Sequence, residues 1–292
     1  MSESEAHEVL ALADKRAEYR SWFSGYKYDE AAELYERAGN IFKLLKKPKE
    51  AGLAFSRAAD MYVKAGEPQE ASQRYMNASK VLKKEYPQDA INASEKAIKI
   101  MVDGGRFYMA ASQKKEVAKI YEIDILDKAS AKKAYEVAAD WYMGEDSKAL
   151  ANQCLINVAS LAGDLGEFQQ AIDVFESIAQ ESVNDNLTKW SVKDYLFKAG
   201  LCHLASFEPT NPHILGKAIE RYKVLDFNFG NTRECTLLQN LYEAVKDGDV
   251  ESFTNHLADY DQLSPLDNWK TSLLLHTKRR IKESQEVEED LT

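Results

Sequence analysis

The chain has 292 residues, with 38 Lys and Arg against 48 Asp and Glu, a formal net charge of −10, 13 Gly, 6 Pro and 3 Cys. So much charge beside so few Gly and Pro excludes a turn-rich all-β protein and wholesale disorder. No apolar run exceeds the five residues Val9–Ala13, and a bilayer-spanning helix needs ~20. A pI near 5.2 argues against nonspecific duplex binding, so no nucleic-acid partner is expected. Glu3, Glu5 and Glu8 oppose the basic start of a signal peptide. Cys154, Cys202 and Cys235 show no CxxC spacing, which fits a reducing compartment and a cytoplasmic location.

A first helix precedes Arg20-Ser-Trp-Phe-Ser-Gly25, where Trp22 and Phe23 stand with Arg16, Arg20 and Lys27 nearby. Two readings stand for this pair. It dips into the headgroup region of a membrane, where rings are favoured and bases meet anionic lipid, or it caps the end of the helical core.

From residue 31 onward the chain keeps a beat of about twenty residues. The reference positions are Ala31, Ala51, Ala71, Ala90, Ala110, Ala131, Ala149 and Ala171. Four residues on, rings recur at Tyr35, Phe55, Tyr75, Tyr135 and Phe175. Seven on come Ala38, Ala58, Ala78, Ala97, Val117 and Ala138, and eleven on Phe42, Tyr62, Leu82, Met101, Tyr121 and Tyr142. Offsets of 0, 4, 7 and 11 lie on one helical face. Pro48, Pro68 and Pro87 each precede their reference Ala by three residues, a position suited to a first helical turn. Gly66, Gly104, Gly105, Gly144 and Gly166 occupy the same gaps, where a helix can end. Each beat therefore predicts one helix and a short turn, and neighbouring helices are antiparallel. Ala admits a close backbone approach and the ring fills the next groove. Such stripes are buried only by stacking, so about nine helices would build a slab roughly 80 Å long with one face for an extended partner.

After about residue 185 the beat fades, although helical patterns persist at Leu187–Ala205 and Thr232–Lys246. The predicted organisation is all-α: a TPR-like right-handed solenoid of antiparallel hairpins over 1–185, a C-terminal helical bundle over 186–282, and an acidic tail over 283–292. Phosphate-binding Gly loops, His-Glu-x-x-His and Gly-x-Ser-x-Gly are all missing from the sequence. None of the five His is at helical ligand spacing from another His or a Cys. Cys202 and His203 are adjacent and so point to different helix faces. No catalytic residue, metal, cofactor or small-molecule substrate is expected.

The repeat pattern, the Trp-Phe loop and the tail together resemble the soluble NSF attachment proteins of the alpha type, over essentially the whole chain. The strings that carry the likeness are Ser24-Gly25, Glu30-Ala31-Ala32, Gly105-Arg106-Phe107, Ala151-Asn152-Gln153-Cys154-Leu155, Lys193-Asp194-Tyr195, Thr232-Arg233-Glu234-Cys235, Leu266-Asp267-x-Trp269-Lys270-Thr271 and Glu288-Glu289-Asp290-Leu291-Thr292. The resemblance implies a non-enzymatic, peripherally membrane-associated adaptor. It would wrap the SNARE four-helix bundle left after membrane fusion and recruit the hexameric AAA+ ATPase NSF. It further implies that Arg106, Lys193 and Arg233 face the acidic SNARE surface and that Trp22 and Phe23 touch the membrane. Glu288, Glu289, Asp290 and Leu291 would dock on NSF and stimulate it.

Many members carry Lys on the SNARE-facing surface where this chain has Ser112 and Gln153, and some where it has Asn157, which should weaken electrostatic steering. Lys114, Lys115 and Lys148 are near enough in sequence to compensate, or else form an ordinary solvated face. Read physically, Leu291 is one apolar anchor ringed by carboxylates, weak alone and effective in several copies; the alternative is an inert solubilising tail. A generic tetratricopeptide-like scaffold that grips a peptide or chaperone terminus is the competing reading. It would repeat at ~34 residues per hairpin, whereas two beats here give 39 to 41.

Overall fold

The computed structural model describes residues 2–21, 25–208 and 213–290, by backbone alone at 20–21, 25–26 and 284–290. Among the described residues fourteen α-helices follow one another: α1 (Glu3–Glu18), α2 (Tyr28–Leu44), α3 (Pro48–Ala65), α4 (Pro68–Leu82), α5 (Pro87–Asp103), α6 (Phe107–Lys119), α7 (Lys128–Gly144), α8 (Lys148–Asp164), α9 (Phe168–Ser182), α10 (Val192–Ala205), α11 (His213–Leu225), α12 (Arg233–Lys246), α13 (Val250–Leu263) and α14 (Asn268–Asp290). The expected all-α, TPR-like succession of hairpins is what forms. The one β element among the described residues is a two-residue antiparallel ladder, β1 (Arg20–Ser21) with β2 (Gly25–Tyr26), between α1 and α2. The chain forms two compact units, residues 1–154 and 155–292.

In the first unit the stripe read from the sequence is the core. Ala31, Ala51, Ala71, Ala90, Ala110 and Ala131 are all fully buried, as are Ala38, Ala58, Ala78, Ala97, Val117 and Ala138 seven residues on. In α8 the buried reference residue is Ala151, while Ala149 is exposed. That correction restores even steps of 151 − 131 = 20 and 171 − 151 = 20 in place of 18 and 22. The three prolines open α3, α4 and α5, where the absent N–H is no loss.

One turn recurs between the helices. After α2, α3, α5, α7, α8 and α12 a residue two or three beyond the helix donates its N–H five residues back, as in Lys47 to Phe42 and Glu67 to Tyr62, with a tighter bond from the residue before it nested inside. This double closure satisfies carbonyls that the helix end leaves open. Its left-handed residue is Gly at 66, 105, 166 and 248, but Lys46 and Asp146 hold the same conformation elsewhere. The α6–α7 connection departs furthest from this turn: Ile120–Ile125 forms a π-helical turn that ends on left-handed Leu126.

The tyrosines among the recurring rings bury their faces and hand their hydroxyls to carboxylates of the preceding element. Tyr35 donates to Asp14 at 2.5 Å and Tyr135 to Glu122 at 2.9 Å, and Tyr75 donates to Asp60. A buried phenol needs such a partner. Burial, then the Asp14 carboxylate, pushes Tyr35 up to about 12. Between α4, α5 and α6 the small polar residues are paired too: Ser94 donates to Ser79 at 2.7 Å, and Gln113 donates to Ser94 at 2.9 Å.

The second unit is built round α10. That helix buries Val192, Leu196, Phe197 and every residue from Ala199 to Ala205, so it is enclosed on nearly all sides instead of along a stripe. Trp269 of α14 stands against Phe175 and donates its indole N–H to the Ser160 carbonyl at 2.8 Å. Helix α14 runs on to Asp290, through most of the segment set apart in the sequence as a tail.

Candidate functional site

Two of the predicted bases come together where α10 and α12 begin. Asp194 lies in the first turn of α10 and is gripped by Lys198 at 2.9 Å and by Lys270 of α14 at 3.1 Å. Lys270 also pairs with Asp267 at 3.1 Å. Desolvation opposes the Asp194 charge, but the two ammonium groups prevail and hold its carboxyl below the usual range. Two of the sequence strings, Lys193-Asp194-Tyr195 and Leu266-Asp267-x-Trp269-Lys270, are thus one ionic cluster that fixes the start of α10.

On this base Lys193 points outward, exposed, and bonds Glu234 of α12 at 2.8 Å. Burial works against the Glu234 charge, yet Lys193 and then Tyr260 lower its pKa. Arg233, the first residue of α12, is exposed and makes no ion pair among the described residues. It borders a small groove with Thr236, His256, Asp259 and Leu263. A cation at a helix N-terminus is disfavoured by the macrodipole, so the fold itself gives Arg233 nothing. Lys193 and Arg233 therefore flank Glu234, one cation shared and one free for an outside acid.

Sequence reasoning passed over two neighbours of this pair. Leu187 is 90% exposed and Trp190 81% exposed, just before α10 in the turn that also carries Lys189, whose ammonium lies over the Trp190 ring at 5.4 Å. Their exposure leaves apolar area in water within a few residues of Lys193. The signal was present: two apolar residues in a polar linker, off the helical beat.

Arg106 belongs to the first unit and closes the turn after α5, its N–H reaching Met101 O at 2.8 Å. Its side chain is half-buried and donates weakly to Ser72 at 3.4 Å. Beside it Phe107, Tyr108 and Met109 are exposed, with Phe107 set against Trp141 at 6.4 Å between ring centres. Lys114 is committed to Glu95 at 2.7 Å, whereas Lys115 reaches across to Gln153 at 3.2 Å. Ser112 and Gln153 are exposed, and Lys148 is exposed as well.

Trp22, Phe23 and Leu291 lie outside the described residues, and Glu288, Glu289 and Asp290 are known only as the backbone of the last turn of α14. Among the described residues no helix is long and apolar enough to cross a membrane, and no His, Cys, Asp and Glu cluster is arranged to hold a metal ion. Burial alone pushes the Cys202 thiol up to about 12, so it is protonated at neutral pH and a poor nucleophile.

Comparison with known proteins gives one answer over the whole chain. A family model described as "Soluble NSF attachment protein, SNAP" matches residues 4–282. The chain is 39% identical over 295 residues to the alpha-soluble NSF attachment protein of Homo sapiens, covering 99% of this chain and 98% of the human one. It is 39% identical over 289 residues to a probable vesicular-fusion protein sec17 homolog of Schizosaccharomyces pombe, with 98% of each covered. It is 37% identical over 282 residues to the alpha-soluble NSF attachment protein of Vitis vinifera, with 96% of each covered.

Proposed function

This chain belongs to the soluble NSF attachment protein family, and from that membership we propose that it is a non-enzymatic adaptor in vesicle fusion and membrane trafficking, ER–Golgi transport included. It binds the assembled SNARE four-helix bundle and brings to it the hexameric ATPase NSF, whose turnover it stimulates. The observation that carries this reading is similarity along the full length to vesicular-fusion and NSF attachment proteins at 39% identity. The competing tetratricopeptide-like reading fails on period, since the corrected beat makes a hairpin of about 40 residues against ~34.

Within this role Arg106, Lys193 and Arg233 supply the cationic contacts to the bundle. Exposed Leu187 and Trp190 beside Lys193 supply apolar area, which charge contacts alone do not provide. The reach of Lys115 to Gln153 supports compensation for the lysine that relatives carry there. Residues 1–185 act as the gripping array, 186–282 as the bundle that presents Lys193 and Arg233, and 283–292 as the NSF-contacting end through Glu288, Glu289, Asp290 and Leu291. Trp22 and Phe23 add a membrane contact, so that a cytoplasmic protein is held peripherally at the membrane.

The test is a pull-down on a preassembled SNARE bundle, with and without NSF and ATP, at two salt concentrations. Lys193→Glu with Arg233→Glu should weaken bundle capture about tenfold at low salt and less at high salt. Leu291→Ala should lower NSF stimulation while bundle capture holds. Trp22→Ser with Phe23→Ser should reduce disassembly of liposome-anchored SNAREs and spare soluble ones. Failure of the parent protein to capture any bundle sinks the adaptor reading.

A further inference from the structure

The second unit holds a cavity of about 980 Å³ that the adaptor role does not use. Its size is at the upper end of the ~300–1,000 Å³ common to small-molecule sites. The walls are mainly apolar: Leu196 from α10, Tyr222, Val224 and Leu225 from α11, and Tyr242 from α12. Gly216 forms part of the floor, where a Cβ would meet the Tyr242 ring at 3.2 Å, so the close approach of α11 and α12 shapes the cavity.

The charges at the wall are unequal. Glu176 is satisfied from within: Tyr222 donates to it at 2.6 Å, Arg221 at 3.1 Å, and His203 Nε2 lies 3.4 Å away. Glu220 holds Lys223 at 2.7 Å. Lys217 and His213, four residues apart on the face of α11 that meets the cavity, are exposed and have no ion pair among the described residues. The unanswered charge at this wall is therefore positive. Val224 lies seven residues beyond Lys217, about 10 Å along the same helical face, and is 87% exposed in the open cavity mouth. One end of the cavity is cationic and the other apolar.

We propose that this cavity binds a long-chain fatty carboxylate taken up as a free monomer, with its head on Lys217 and its chain along Val224, Leu225 and Leu196. Head and tail match the two ends of the wall, and the internally paired acids Glu176 and Glu220 leave the head unopposed. The inference stands independently of the SNARE–NSF role.

Isothermal titration of the full chain with decanoate, laurate and myristate below their micelle concentrations tests it, with dodecanol as the uncharged control. One saturable site is expected, weakening roughly fourfold for each methylene removed. Dodecanol should bind at least about tenfold more weakly than laurate. Lys217→Glu should weaken laurate about tenfold and leave dodecanol unchanged, while Val224→Asp should weaken both. Both positions are exposed, so neither change threatens folding. Equal binding of laurate and dodecanol, indifference to both variants, or no saturable site would overturn the proposal. A concentration-dependent dimer that Val224→Asp abolishes would assign the apolar wall to a second copy and overturn it equally.

Discussion

Helices α3 and α10 solve the burial problem differently. Helix α3 buries Ala51, Ala54, Phe55, Ala58, Ala59 and Tyr62 along one side and leaves Leu53 and Val63 half in water. Helix α10 buries ten of its fourteen residues, with Leu201 and Leu204 almost fully enclosed. Each has a glycine in which a Cβ would collide at 2.5 Å with a leucine, Gly52 with Leu82 and Gly200 with Leu238. The same device of close approach therefore serves a repeating contact in one unit and a centre in the other. A repeating contact leaves an Ala-and-ring stripe with a period; a centre leaves only a run of apolar residues.

The sharpest way to break this contrast is at the centre. Leu201→Ala should cost about 2–5 kcal/mol, since enclosed packing cannot collapse onto the void. A denaturant midpoint unchanged by this substitution would show that α10 is no centre at all. Next comes the acid limit of the same unit. The folded pKa of Asp194 is below its ordinary 3.8, so its pairing with Lys198 and Lys270 stabilises above that value and fades as pH falls through the lower folded one. Asp194→Asn should remove this acid-dependent fraction, measured as the difference in melting temperature between pH 6 and pH 3.

In the array the expected losses are smaller, because each contact is one of many alike. Tyr135→Phe removes the hydroxyl that Glu122 accepts and should cost about 1–3 kcal/mol by urea titration. In the second unit, Thr232→Ala removes the oxygen that accepts the Cys235 N–H at the start of α12, and this single cap should cost about 1 kcal/mol. Smallest is a gain: Lys46→Gly relieves a left-handed side chain in the recurring turn and should stabilise by up to ~1 kcal/mol. A loss there would mean that the turn does not obey the rule that Gly66 and Gly166 follow.

Much of the array was legible because Ala and ring positions and the prolines share one phase. The slip at Ala149 arose from Lys148-Ala149-Leu150-Ala151, which offers two alanines two residues apart, and only burial separates them. The β1–β2 ladder has two residues per strand, too few for any alternation to register. The π-helical turn at 120–125 carries the ordinary apolar spacing of a helix, so nothing marks its extra residue. At the candidate site Arg233 and Lys193 were found through resemblance. The role of Glu234 between them was hidden, because it depends on two helix starts brought together from 40 residues apart.

The bridge between Lys193 and Glu234 has a consequence for release. In the role proposed above, an acidic helical rod docking at this corner would have to displace an intramolecular carboxylate before it gained the ammonium, so the exchange would yield less than a fresh ion pair. If the proposed adaptor releases its bundle after each cycle, a half-spent cation would favour turnover over tenacity. Glu234→Gln would convert that corner into a stickier one and slow the departure of the rod.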